Sequence, residues 1–145
     1  AQWPIRTVSY SDPPGFTYPV DNHSCSVDGC LRAEASRVLG AYVRKSVLSR
    51  NCVIKPGAVV EECIIGQNVE IGENCRLRRV IVDAHNIIPP GTSIGFDPAE
   101  DAKNYHVDKA SGIVVVEMPK IQLRKQLQMP GTYNEMFKSS DGSDF

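Results

Sequence analysis

What this sequence lacks narrows it first. It carries almost no net charge, −1 over 145 residues. A partner held mainly by phosphate neutralisation needs a basic face, so no nucleic acid is expected. No apolar run approaches the length of a membrane span, and nothing reads as a signal peptide. The expectation is a cytoplasmic protein with no membrane partner. Its five cysteines, Cys25, Cys30, Cys52, Cys63 and Cys75, are odd in number and contain no Cys-x-x-Cys pair. The three histidines, His23, His85 and His106, are scattered. Neither a disulfide framework nor a metal site follows, and reduced, buried thiols acting as small hydrophobes are expected. There is no glycine-rich phosphate loop, and spacing reveals no Ser/His/Asp or Cys/His set, so no catalytic residue is assigned.

What is present is a period. Val47, Val53, Val59, Ile65, Ile71 and Leu77 are aliphatic and six apart, and the beat resumes at Val82, Ile88 and Ile94 after one interval of five. A hexapeptide period indicates an all-β fold, a parallel β-helix of hexapeptide repeats. An α-helix would need apolar spacings of three and four, and hairpins would show two-fold alternation with tight-turn signals. Three hexads make one triangular coil of about eighteen residues. Residues one coil apart should stack at about 4.8 Å. The expected columns are Val47–Ile65–Val82, Val53–Ile71–Ile88 and Val59–Leu77–Ile94, with one tightened corner between Leu77 and Val82. Gly57, Gly66, Gly72 and Gly91, with Asn68, Asn74 and Asn86, are the expected corner residues. Lys55-Pro56-Gly57 and Pro89-Pro90-Gly91 fit turns with proline second and glycine third. In this register Ile71→Asp would bury an unpaired charge.

Four segments follow from these patterns. Residues 1–22 read as a strap, broken by Trp3-Pro4, Asp12-Pro13-Pro14-Gly15 and Tyr18-Pro19, with aromatics (Trp3, Tyr10, Phe16, Tyr18) that suit packing along a surface. Residues 23–96 are the β-helix. Residues 97–129 form a short mixed segment. It holds a capping helix from Asp97 (N-cap) and Pro98, a strand within Gly112–Glu117, and a short amphipathic helix over Lys120–Met129. Residues 130–145 are Ser/Asp/Gly-rich and read as a disordered tail.

The sharpest charged feature is Cys75-Arg76-Leu77-Arg78-Arg79. On the beat Leu77 points inward and Arg76 and Arg78 outward. These arginines suit a phosphorylated ligand or carboxylates across an interface. The plainer alternative is a solvated rung, or salt bridges to Glu61, Glu62 or Asp83. A second basic group is Lys120, Arg124 and Lys125, whose plainer reading is the polar face of a short helix. His85, at a corner, is the candidate base for acyl transfer within the repeat, with a solvated corner histidine as the alternative.

Three stretches, in order, carry a family resemblance: Trp3-Pro4-Ile5-Arg6-Thr7; Cys75 to Asp83; and Ile88-Pro89-Pro90-Gly91-Thr92-Ser93-Ile94-Gly95 with Asp97 to Ala102 and Gly112 to Val116. Together they resemble the C-terminal β-helix domain of bacterial glucose-1-phosphate adenylyltransferase (ADP-glucose pyrophosphorylase), over about Trp3 to Val116. The resemblance implies a left-handed helix, although most parallel crossovers are right-handed. It implies a parent enzyme of glycogen biosynthesis that joins ATP and glucose 1-phosphate to give ADP-glucose and pyrophosphate. In that family the nucleotidyltransferase site, with its Mg2+, lies in an N-terminal Rossmann-like domain absent from this sequence. This chain alone would then hold no cofactor and show no turnover. The implied partners are that nucleotidyltransferase domain, further copies in a homotetramer, and a sugar-phosphate or nucleotide effector. The implied effector-binding candidates are Arg76, Arg78, Arg79, Lys120 and Arg124. Two departures stand out. Asp83 is followed by Ala84 where enterobacterial members carry arginine. Glu117-Met118-Pro119-Lys120 follows the late strand where they carry another arginine, for which Lys120 is the substitute. The alternatives are a free-standing hexapeptide acyltransferase using acyl-CoA, or a structural scaffold.

Overall fold

A computed structural model describes residues 11–120, as sixteen short strands and one helix. The strands make three flat faces of a prism, every coil contributing one strand to each face. Face one holds β1 (Phe16–Tyr18), β4 (Arg37–Leu39), β7 (Val53–Ile54), β10 (Glu70–Ile71) and β13 (Ile87–Ile88). Face two holds β2 (Ser26–Asp28), β5 (Tyr42–Arg44), β8 (Val59–Glu61), β11 (Arg76–Arg78) and β14 (Ser93–Ile94). Face three holds β3 (Leu31–Arg32), β6 (Val47–Leu48), β9 (Ile64–Ile65), β12 (Val80–Val82) and β16 (Val114–Val116), with β15 (His106–Val107) antiparallel at its edge. All other pairings between these strands are parallel, as a β-helix requires, and one isolated antiparallel bridge joins Val20 to His23. No helix among the described residues is long and apolar enough to cross a membrane.

The core is three inward columns. Val38, Ile54, Ile71 and Ile88 stack under face one, and Val43, Val60, Leu77 and Ile94 under face two. Leu48, Ile65, Val82 and Val116 stack under face three. All are buried. Each such side chain contributes about 1.5–3 kcal/mol relative to an exposed position, and the strand ladder pairs the backbone between coils.

These columns correct the expected ones in their first members. Val47 lies on the outside and Val53 and Val59 are only half-buried, while Leu48, Ile54 and Val60 point inward. The reason is the coil length. Ile54, Ile71 and Ile88 are in register, as are Val60, Leu77 and Ile94, so a coil here has seventeen residues, not eighteen. The five-residue interval is therefore no exception at Leu77–Val82. It recurs at Val43–Leu48 and Val60–Ile65, wherever the chain passes from face two to face three. That corner turns on a single left-handed residue: Lys45 (φ 48°), Glu62 (φ 52°) and Arg79 (φ 55°).

The other corners also carry left-handed residues, among them Asn51, Asn68 and His85, and Gly57, Asn74 and Gly91. Gly66 and Gly72 have a different reason to be glycine. Their φ is ordinary, but a Cβ on Gly72 would lie 2.6 Å from Pro90 N and 2.7 Å from Ile88 O of the next coil. Asn86 is no positive-φ corner either; it is buried, and its amide Nδ2 donates to the carbonyls of Asp83 (2.9 Å) and Glu117 (3.0 Å). The cysteines occupy the small sites just inside the corners. All five are free thiols, with Cys52, Cys63 and Cys75 fully buried. Burial pushes the thiols of Cys52 and Cys63 up to about 11, which leaves them protonated and unreactive at neutral pH.

The stack begins inside the segment read as a strap. Phe16–Tyr18 pairs in parallel with Arg37–Leu39, and the Phe16 and Tyr18 rings stack on each other, 5.4 Å apart, on the outer surface. Asp12 is tied to Arg50 at 2.9 Å. Trp3 and Tyr10, the amphipathic stretch from 121 to 129 and the tail from 130 to 145 lie outside the described residues. At the other end α1 (Pro98–Asn104) closes the prism. Asp97 accepts from the backbone N–H of Ala99 and Glu100, and Pro98 opens the first turn, as the sequence suggests. The helix is anchored by Asp101, 4% exposed, whose Oδ2 accepts from Gly95 N at 2.9 Å. Asp101→Ala should cost about 1–3 kcal/mol by leaving that amide unpaired. Asp101→Asn, which keeps an acceptor, should recover most of the loss. Urea unfolding of both variants checks this, and equal losses would show that the acceptor is not what matters.

Candidate functional site

The arginine rung lies on β11, and the pleat sorts its members. Leu77 is 1% exposed, with Arg76 and Arg78 exposed on the outer surface of face two. The Arg76 guanidinium sits over the Phe96 ring, 4.8 Å from its centroid, a contact worth about 0.5–1 kcal/mol at an exposed site. That contact tethers the exposed guanidinium group beside Phe96 on the outer surface.

Arg78 belongs to a charge ladder. Asp28, Arg44, Glu61 and Arg78 are cross-strand neighbours on consecutive coils, alternating in sign. Strand spacing of about 4.8 Å puts each charge beside its opposites, where an exposed pair contributes roughly 0–1 kcal/mol. Glu61 is thus the carboxylate opposite Arg78 in register. A cleft of about 340 Å³ opens along this ladder, lined by Ser26, Asp28, Tyr42, Arg44, Val59 and Glu61. An anion approaching the upper end of the face meets Arg76 and Arg78, with Arg44 two coils below.

The remaining described candidates, Arg79 and Lys120, do not converge there. Arg79 takes the left-handed corner, and its Nη2 donates to the carbonyl of Ser111 at 2.9 Å, so it is turned toward the closing segment and away from Arg76 and Arg78. Lys120 is exposed and follows Met118, which lines a groove with Gly66 and Asp83 at a different corner of the prism. Arg124 lies outside the described residues. Arg44 and Phe96 were not singled out from sequence. The signal for Arg44 was its place two coils before Arg78, which only a seventeen-residue coil brings into line.

His85 takes a left-handed corner position, φ 63°, and its Nδ1 lies 3.4 Å from Asn68 Nδ2, while Asn51 Nδ2 donates to Asn68 Oδ1 at 2.7 Å. It is thus part of a polar corner ladder that joins successive coils. Among the described residues, no group of three or more His, Cys, Asp or Glu side chains could hold a metal ion.

The chain is similar to known proteins over most of this prism. It is 38% identical over 115 residues to the glucose-1-phosphate adenylyltransferase of Nitrosospira multiformis, covering 79% of this chain and 27% of that protein. It is 40% identical over 115 residues to glucose-1-phosphate adenylyltransferase 1 of Vibrio parahaemolyticus, covering 79% and 28%. With the enzyme of Francisella tularensis subsp. novicida it shares 36% identity over 126 residues, covering 86% and 29%. The chain thus spans less than a third of the length of these relatives and matches their C-terminal part. The resemblance read from the motifs at Cys75–Asp83 and Ile88–Gly95 is therefore shown. The family model described as GlmU-like, C-terminal hexapeptide matches residues 13–116. With that match covering the coil stack from β1 to β16, the chain belongs to the GlmU-like C-terminal hexapeptide family.

Proposed function

We propose that this chain is the regulatory and oligomerisation region of a glucose-1-phosphate adenylyltransferase. The parent activity is the joining of ATP and glucose 1-phosphate into ADP-glucose and pyrophosphate, in glycogen biosynthesis. Nucleotidyl transfer and its Mg2+ belong to an N-terminal nucleotidyltransferase domain, on which this prism packs within a homotetramer in the cytoplasm. The coverage is the observation that supports this reading most. Four fifths of the chain aligns with little more than a quarter of each adenylyltransferase, so the likeness is to one part of those proteins.

Within that reading the prism binds a phosphorylated effector at Arg76 and Arg78. Both guanidinium groups stand on one outer face, and Phe96 orients the first of them. Arg79 contributes through the Ser111 turn, while Lys120 would have to reach the effector from a different corner of the prism.

A chimera tests both parts. Joined to the N-terminal remainder of the Nitrosospira multiformis relative, this chain is expected to support ADP-glucose formation that responds to fructose 1,6-bisphosphate or AMP. Each charge-assisted hydrogen bond is worth about 1.5–3 kcal/mol. The double variant Arg76→Ala/Arg78→Ala should therefore raise the half-saturating effector concentration tenfold or more. A responsive chimera whose effector curve is unmoved by the pair would remove the effector role from these arginines. A chimera that assembles but makes no ADP-glucose would count against the parent activity.

A further inference from the structure

The charge ladder on face two has a property that an anion site does not use. From β2 to β11 it reads Asp28, Arg44, Glu61, Arg78, an alternating series of even length. Such a series is complementary to its own reverse. A two-fold axis along the strand direction, midway between β5 and β8, turns a second copy end over end. That copy then sets its Arg78 against Asp28 and its Glu61 against Arg44, and the reciprocal pairs follow by symmetry. A copy laid parallel and in register would set like charge against like at every rung. The ladder therefore selects one orientation and rejects the other.

The neighbouring outward column agrees. It reads Ser26, Tyr42, Val59, Arg76 and Ser93. The same axis brings Tyr42, 49% exposed, against Val59 of the second copy, so apolar contact lies at the centre with charge around it. It also lays Arg76 and Arg78 of each copy over the cleft of the other, which Ser26, Asp28 and Glu61 help to line. Among the described residues, none of the four ladder charges makes an ion pair within its own chain. The other faces lack this property. Reversal on face one sets Arg37 against Ile87 and Glu70 against Val53, and the face-three column of Leu31, Val47, Ile64 and Ile81 is uncharged.

We propose that two copies of this chain pair antiparallel through face two, with Arg44–Glu61 ion pairs beside the axis and Asp28–Arg78 pairs at either end. The pairing rests on the oligomerisation role proposed above and gives it a surface and a symmetry. Arg78 is then shared. A phosphorylated effector that takes it competes with Asp28 of the second copy, so effector and pairing oppose each other. Four rungs span only about 14 Å, so the contact is small and the association belongs to the weak class.

Sedimentation velocity of the 145-residue chain at submillimolar concentration and low salt should show a monomer–dimer equilibrium that added salt weakens. Arg44→Glu and Glu61→Arg each set like charges across the axis and should weaken self-association about tenfold or more. An equimolar mixture of the two variants restores the opposite pairs and should regain the wild-type affinity, a recovery that misfolded chains could not give. A monomeric wild-type chain, variants that associate as the wild type does, or a mixture no tighter than its parts would each overturn the proposal. Unaffected variants would leave assembly to another surface, and assembly of the chimera tests the wider reading separately.

Discussion

Leu48→Asp is expected to abolish folding, whereas Val47→Asp, one residue earlier, is expected to leave the protein folded. Leu48 is 1% exposed and stacks beneath Ile65 in the third inward column. The substitution forfeits about 1.5–3 kcal/mol of burial. It also strands a carboxylate among aliphatic side chains, for several kcal/mol more unless the group takes up a proton. Against a typical total stability of about 5–15 kcal/mol, that is most or all of what a domain has. Val47 is on the outer surface, so the same carboxylate there stays hydrated. Circular dichroism with thermal melting reads both variants. A folded Leu48→Asp beside an unfolded Val47→Asp would reverse the register and move the inward column back to the six-residue beat. Ile71→Asp, at a position where both registers agree, should unfold the protein in either case.

The second large effect is expected at Gly95. Its φ is +95°, and a Cβ built there would lie 1.9 Å from the carbonyl oxygen of Arg78. The obstacle is backbone in the neighbouring coil, so no side chain can swing aside. Gly95→Ala should therefore cost about 3 kcal/mol or more, as backbone strain and overpacking add. The damage is directional. Gly95 N is the donor to Asp101, so shifting the turn also pulls the anchor from α1 and opens that end of the core above Ile94 and Val116. Gly91→Ala is the informative control. Its φ is +75°, but nothing lies within 4 Å of the added Cβ, so only the left-handed penalty of about 1–2 kcal/mol applies. Similar midpoints for the two variants in urea would show that the clash is relieved by movement of β11.

The period, the parallel architecture and the capping helix were legible because each has a direct cause in residue type. The phase of the beat before Ile65 was not, and the reason is specific. Val47-Leu48, Val53-Ile54 and Val59-Val60 are aliphatic doublets, so either member satisfies a six-residue spacing, while a slip of one turns a strand's side chains over. Past Ile65 the glycines at 66 and 72 follow the inward residue and remove the ambiguity. The shortened corner was equally hidden. Lys45, Glu62 and Arg79 hold left-handed backbone without being glycine or asparagine, so composition carries no sign of it.

The candidate site inherited that error in part. Arg76 and Arg78 were placed correctly, because Leu77 between them marks the inside. Arg79 looked like a third member of the same patch and is not, since the short corner carries it off the face toward Ser111. Arg44 was missed because an eighteen-residue coil sets it two positions out of line with Arg78. Phe96 lies beyond the last beat residue, where no period could relate it to Arg76.

The seventeen-residue coil also makes the molecule a ruler. Each coil touches only the coils above and below it, and in such quasi-one-dimensional stacks units can be added or removed without redesigning the rest. Length therefore changes in steps of one strand spacing, about 4.8 Å, and only in whole coils. A whole added coil leaves every outer column in phase, so it would move α1 and Phe96 further from β1 without rotating one face relative to another. A partial insertion has no such freedom. The distance between the two ends of the prism is a quantity that this sequence can alter by duplication alone.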